Sequence, residues 1–207
     1  MQQSKNIAIV GSGLVGSLLA IYLRKAGHRV TIFDRRPDVR KVEFSGRSIN
    51  LAMSNRGWNA LQRIGLEDEI RKIALPLDKR AMHVNEKPLY FQKYGKEGEA
   101  IYSISRGILN RKMIDLAEEA GAVFRFEEKV WDIDLNQAKI YTGTAETTPW
   151  TEYKFDLIFD CTSAKFHKKN EKIFKKLGKK IINLTPTQDG YMCIPSLNLE
   201  ECKKSGE

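Results

Sequence analysis

Three glycines and one aspartate near the amino end carry the most chemically specific spacing in the sequence. They stand in Gly11-Ser12-Gly13-Leu14-Val15-Gly16, with Asp34 following roughly 20 residues later. Glycines at this spacing suit an anion that must be approached by backbone. Gly11 permits a tight turn, Gly13 lets N–H groups come close to phosphate oxygens, and Gly16 lets a helix lie against a strand. A carboxylate at the Asp34 position can accept both hydroxyls of an adenosine ribose. The chemistry implied is the binding of a dinucleotide by its pyrophosphate and ribose.

The elements that would position these residues are legible on either side. Ile7-Ala8-Ile9-Val10 reads as a strand, and an apolar-periodic helix runs from the glycines to Ala26. Gly27-His28 breaks it, and Val30-Thr31-Ile32-Phe33 is a second strand ending on Asp34. The helix N-terminus adds partial positive charge at the phosphates. Asp34 would repel the 2′-phosphate of NADP, leaving FAD or NAD as the fitting ligands. Arg35 and Arg36 complicate that choice, since arginines here can take a phosphate, stack on adenine or lie in a solvated loop.

Further along, a polar loop extends from Arg36-Pro37 to Glu43, and Gly46 to Ser54 reads as a short strand or turn. Helices are expected from about Arg56 to Ile64 and from Glu67 to Ile73, with Pro76 ending the second. Three strand-like pieces follow, Arg80–Val84, Leu89–Tyr94 and Ala100–Ile104, which read together as one small antiparallel unit. A helix from Arg106 to Ala120 stops at Gly121. Val123–Phe126 is a strand, 129–135 and 138–141 suit a hairpin, and Tyr153–Phe159 reads as a buried strand. The expected fold is α/β: a Rossmann-like domain interrupted by an antiparallel insert. A nicotinamide dehydrogenase would complete its second half with regular βα units; an interrupted domain is the pattern of large flavoproteins, which favours FAD.

Composition narrows the class. A chain of 207 residues can bury a core, and its charged and apolar fractions are those of a soluble domain. No run of about 18 apolar residues suggests a membrane span, and the first strand begins too early for a signal peptide. Cys161, Cys193 and Cys202 are late and lack metal-ligand spacing, which suggests reduced thiols and a cytoplasmic protein. The net charge of +9 comes largely from the lysines between Lys165 and Lys180. No basic stretch is interleaved with aromatics, so no nucleic-acid partner is expected.

Several segments are similar to the aromatic-ring hydroxylases that use FAD. They are the glycine run with Ser17, Phe33-Asp34-Arg35-Arg36, Gly46-Arg47-Ser48-Ile49-Asn50-Leu51-Ala52, Lys79-Arg80-Ala81-Met82-His83, Tyr94-Gly95 with Gly98-Glu99-Ala100-Ile101, and Ser103-Ile104-Ser105-Arg106-Gly107-Ile108-Leu109-Asn110. The resemblance covers residues 1 to about 159. It implies that Gly11, Gly13, Val15 and Gly16 surround the FAD pyrophosphate and that Asp34 binds the ribose with Arg36 nearby. It further implies that Ala52 lies near the flavin, that Arg106 contacts the phosphate or ribitol, and that Val130 is beside the cofactor. Arg80 and Tyr94 would hold the carboxylate of an aromatic amino-acid substrate. NADPH would be the co-substrate. In such a reaction the cofactor carries the oxygen transfer, so no protein nucleophile, catalytic acid pair or metal cluster is required.

Beyond residue 159 the resemblance fades. Asp160-Cys161-Thr162-Ser163-Ala164 stands where the family places Gly-x-Asp-Gly-Ala, and the later Gly-Asp-Ala-Ala-His segment is missing. Residues 160–207 therefore read as a basic, divergent tail, such as a frameshift or truncation gives, and the domain as 1–159. The fold is then incomplete relative to the full hydroxylase, with weak or no activity expected. The alternative is a non-catalytic Rossmann module that binds NAD or FAD.

Overall fold

The computed structural model describes residues 3–42, 49–85, 88–134, 136–144 and 149–162. The chain divides into two units, Met1–Thr162 and Ser163–Glu207. The expectations for the basic segment and for Cys193 and Cys202 lie outside the described residues, as do those for 43–48.

The opening βαβ unit forms as its pattern requires. Strand β1 (Asn6–Val10) leads through the glycine turn into helix α1 (Leu14–Lys25), and β2 (Arg29–Phe33) returns parallel to β1 with Ile9 opposite Ile32. Gly27 ends α1 at φ +86°, a conformation that favours glycine; its N–H donates to Arg24 O (2.9 Å), and the His28 N–H to Leu23 O (3.0 Å).

The middle of the chain supplies β3 (Asn50–Met53), α2 (Asn55–Gln62), α3 (Glu67–Arg71), β4 (Leu75–Leu77), β5 (Lys79–Met82), β6 (Tyr90–Lys93), β7 (Ile101–Ser105) and α4 (Arg106–Glu119). Then follow β8 (Val123–Arg125), β9 (Lys129–Asp134), β10 (Lys139–Gly143), β11 (Thr151–Lys154) and β12 (Leu157–Asp160).

The parallel sheet runs β12–β1–β2–β8. Ile9, Ala20, Ile21 and Ile32 pack with Leu109, Met113 and Ala117 of α4 and with Trp58 and Leu61 of α2. Ala8, Val10 and Phe33 instead meet Val130, Ile140 and Phe155. Helices therefore cover one face of the parallel sheet, and the antiparallel sheet β11–β10–β9 covers the other. Buried on both faces, β1 needs its unbroken apolar run; each of its Ile and Val side chains contributes roughly 1.5–3 kcal/mol.

Three expectations are corrected. The insert is not one three-stranded unit: β5 and β6 form a two-stranded ribbon, while β7 pairs with β3 and β4. Pro76 does not end a helix. The second short helix has already stopped at Arg71, and Pro76 lies opposite Tyr102 in edge strand β4, where a missing N–H is tolerated. The single strand expected over 153–159 is two. The Phe155 N–H turns to Ala138 O (3.0 Å) and the Asp156 N–H to Asn6 O (2.8 Å), so the chain passes from the antiparallel sheet to the parallel one between them. β12 is an edge strand, and its Leu157 and Phe159 are exposed rather than buried.

Gly16 is the tightest point of the first unit. A Cβ there would run into the Gly11 carbonyl oxygen, and Gly11 is itself fixed by an N–H donated to Phe33 O (2.7 Å). Gly16→Ala is expected to lower stability by about 2–3 kcal/mol, because backbone on both sides must shift. Urea unfolding measures this; a loss below about 0.5 kcal/mol would mean that the turn relaxes freely.

Candidate functional site

The glycine turn sits at the carboxyl ends of β1 and β2. Gly11 holds φ +106°, and a Cβ on it would also press against the Cys161 carbonyl oxygen at 3.0 Å. Gly13 differs. Its φ is −73°, which any residue adopts, and among the described residues no heavy atom beyond its chain neighbours lies within 4 Å of where its Cβ would be. The space in front of α1 is therefore open, and a side chain at Gly13 would enter it. Gly13 caps α1 without a side-chain hydrogen bond, and no acid stands in the first turn. The first helical N–H groups thus point their partial positive charge into that space with no acidic residue of their own first turn to neutralise it. Val15 is exposed at the same end. These features fit a pyrophosphate.

Asp34 closes the other end, and its carboxylate is more engaged than the spacing alone implies. Only 5 % exposed, it accepts five hydrogen bonds. Ser12 donates from its N–H (2.9 Å) and from its hydroxyl (2.6 Å), both to Oδ2. Arg36 donates its N–H (2.9 Å) and Nε (3.1 Å) to Oδ1, and Nη2 (2.9 Å) to Oδ2. Burial is the largest single influence and opposes the charge, but the Arg36 and Ser12 donors together outweigh it and hold the carboxyl at about 2. Ser12, itself buried, was not singled out from the sequence; its signal is a hydroxyl between the first two glycines, within reach of the acid that ends β2.

The other expected residues fall into separate places. Ala52 is exposed on β3 opposite Ser103, three residues before Arg106 at the start of α4, and the Arg106 N–H donates to Ile49 O (2.9 Å). Arg106 is exposed and adjoins the Asn50–Ser105 end of the β3–β7 pair, whereas Ala52 lies three positions along β3 from Ile49, toward the other end. Val130 is different: its side chain is 5 % exposed within the core against Val10 and Phe33, which leaves only its main chain for a ligand. Arg80 and Tyr94 are brought together on the β5–β6 ribbon, with the guanidinium carbon 5.9 Å from the tyrosine ring centre. Gln92 Oε1 accepts from Arg80 Nε (3.1 Å) and Nη2 (2.8 Å), which orients the guanidinium. Among the described residues no cluster of His, Cys, Asp or Glu is arranged to hold a metal, and no helix is long and apolar enough to cross a membrane.

A parallel sheet with helices on one face, an antiparallel sheet on the other and an open glycine cradle define an FAD-binding domain of the flavoprotein hydroxylase type. Residues 4–151 match the family model described as FAD binding domain, and the chain belongs to that family. It is 74 % identical over 164 residues to kynurenine 3-monooxygenase from Christiangramia forsetii, an alignment covering 79 % of this chain and 37 % of that protein. The enzyme of the same name from Flavobacterium johnsoniae is 63 % identical over 164 residues, covering 79 % and 36 %. The chain thus spans little more than a third of the length of these curated relatives. Among solved structures, p-nitrophenol 4-monooxygenase from Pseudomonas putida shares the fold, with a TM-score of 0.62 at 21 % identity over 80 % of this chain and 42 % of that one.

Two outcomes follow from the geometry. Gly13→Ala is expected to leave the unfolding midpoint nearly unchanged while weakening FAD or ADP binding about tenfold or more, since its methyl would enter only the open cradle; calorimetric titration measures this. Asp34 has a depressed carboxyl, so its contribution is present above its unfolded value of 3.8 and is lost as pH falls through about 2. That contribution is on the order of 2 kcal/mol. The stability gap between the wild type and Asp34→Asn should therefore narrow on acidification across that window, and a gap independent of pH would contradict the assignment.

Proposed function

We propose that this chain supplies the adenine-nucleotide half of an FAD-dependent, NADPH-using aromatic hydroxylase that converts L-kynurenine to 3-hydroxykynurenine, a reaction of tryptophan breakdown toward NAD. The observation that carries the reading is 74 % identity to a kynurenine 3-monooxygenase across the stretch that builds the cradle. Gly11, Gly13, Val15 and Gly16 would enclose the pyrophosphate, with the α1 N–H groups as donors. Asp34, positioned by Ser12, would hold the ribose. Ala52 and Arg106 would meet the flavin-proximal part of the cofactor, and Val130 would meet it through its main chain. Bound FAD would supply the redox and oxygen chemistry.

Arg80 would form a bidentate pair with the amino-acid carboxylate, and Tyr94 would donate its hydroxyl to the same group. Their closeness on one ribbon supports a shared ligand. The basic composition adds attraction for anionic cofactor and substrate. Residues 1–159 are assigned to the FAD-binding domain and 160–207 to a separate basic segment. Because the family's later ribitol-binding segment is not in this sequence, the 207-residue chain alone is expected to hydroxylate weakly or not at all.

Separate titrations with FAD and NAD, followed by flavin fluorescence and calorimetry, test the reading. Tighter binding of FAD is expected. Tighter binding of NAD would replace the hydroxylase reading with that of a Rossmann module without chemistry. Kynurenine-dependent NADPH oxidation at the rate of a full-length relative would contradict the expected weakness of the isolated chain.

A further inference from the structure

The Asp34 carboxylate presents a conflict that its assignment to ribose does not resolve. A carboxylate offers about four acceptor positions. The protein's own donors make five hydrogen bonds to it. A ribose diol would bring two more donors, so something must leave.

The structure identifies what can. Ser12 is 1 % exposed; its N–H belongs to the main chain of the glycine turn, and its buried hydroxyl has no solvent to turn toward. The main chain of Arg36 is equally fixed, since its N–H donates to Asp34 and its carbonyl accepts from the Glu127 N–H at 3.1 Å. The Arg36 side chain, by contrast, is 54 % exposed. It is the one of these donor groups that can depart into solvent by side-chain rotation. Its two bonds are also distributed as a diol would distribute them, with one donor on each carboxylate oxygen: Nε on Oδ1 and Nη2 on Oδ2.

We infer that Arg36 is a displaceable internal ligand of Asp34, whose guanidinium fork holds the two acceptor positions of the ribose hydroxyls and yields them when a nucleotide binds. This rests on the reading of Asp34 as the ribose acid. The fork keeps a buried carboxylate paired before the nucleotide arrives, and binding exchanges the two hydrogen bonds of an ion pair for two bonds from neutral hydroxyls. Affinity for the nucleotide is therefore lower than its contacts alone would give, because part of the interaction is spent opening the fork. A ligand with fewer than two adjacent hydroxyls replaces the fork incompletely, which makes Arg36 a determinant of specificity as well as of affinity.

The full chain and ADP, which carries the diol and diphosphate without the flavin, provide the test. The Arg36 side-chain Nε–H resonance is assigned by its loss in Arg36→Ala. It should move on saturation with ADP to the position of a solvated arginine, and Arg36→Ala should bind ADP about threefold tighter or more by calorimetry. A resonance that stays in place with ADP bound, or an Arg36→Ala affinity equal to or weaker than the wild type's, would overturn the inference. Failure of the site reading looks different: ADP would not bind the wild type, or would bind Asp34→Asn as well as it binds the wild type.

Discussion

A buried carboxylate that must stay charged governs the amino-terminal half of this molecule. Asp34 sits at the end of β2, nearly without solvent, and an unpaired charge there would be costly enough to protonate or to disrupt the turn. Pairing it from Ser12 draws the glycine turn onto the β2 terminus. Pairing it from Arg36 bends the following loop back onto the sheet. The Asp34 main chain takes part as well: its N–H donates to Arg125 O (3.0 Å), and its carbonyl accepts from the Glu128 N–H (3.1 Å). One residue thus joins β1, β2, β8 and the approach to β9, and the open cradle in front of α1 has its shape because this junction is fixed.

A second set of contacts keeps the helical face in place. Arg24 at the end of α1 donates to Ala120 O at the end of α4 (3.0 Å) and to His28 O (2.7 Å). Arg40 pairs with Asp38, Asp115 and Glu118, which fastens the loop after β2 to α4. The Asp38 carboxyl is lowered chiefly by that guanidinium. Arg71 lies over the rings of Trp58 and Tyr102 at 4.4 and 4.7 Å and pairs with Glu67. These arginines are thus structural, engaged with carboxylates, carbonyls and rings of the protein itself.

The βαβ unit was legible in the sequence because its signals are local. Apolar runs, turn glycines and a terminal acid each act within a few residues, and their agreement fixes the element. The hairpin of β9 and β10 was legible for the same reason, and Ala138 takes the positive φ of 50° its turn demands. The errors arose where partnership is decided at long range. Nothing near Ile101–Ser105 indicates that β7 belongs with β3 rather than with the ribbon, since both partners offer similar alternating surfaces. The break between β11 and β12 falls at Phe155-Asp156 and is set by hydrogen bonds to Ala138 and Asn6, both distant in sequence. At the site, the glycines and Asp34 could be read from spacing. The saturation of Asp34 could not, because it depends on side-chain directions across a turn.

The pairing of β1 with β12 has a consequence for how the chain is made. Ile7 meets Leu157 and Val10 meets Asp160, so the second neighbour of the first strand is the last strand of the unit. As the polypeptide leaves the ribosome, β1 can acquire β2 early but must wait for nearly the whole unit before its other edge is covered. Until then it presents unpaired backbone and an apolar face, a state open to association with other chains. Closure of the sheet thus depends on contacts far apart along the chain, which can form only once residue 160 has emerged.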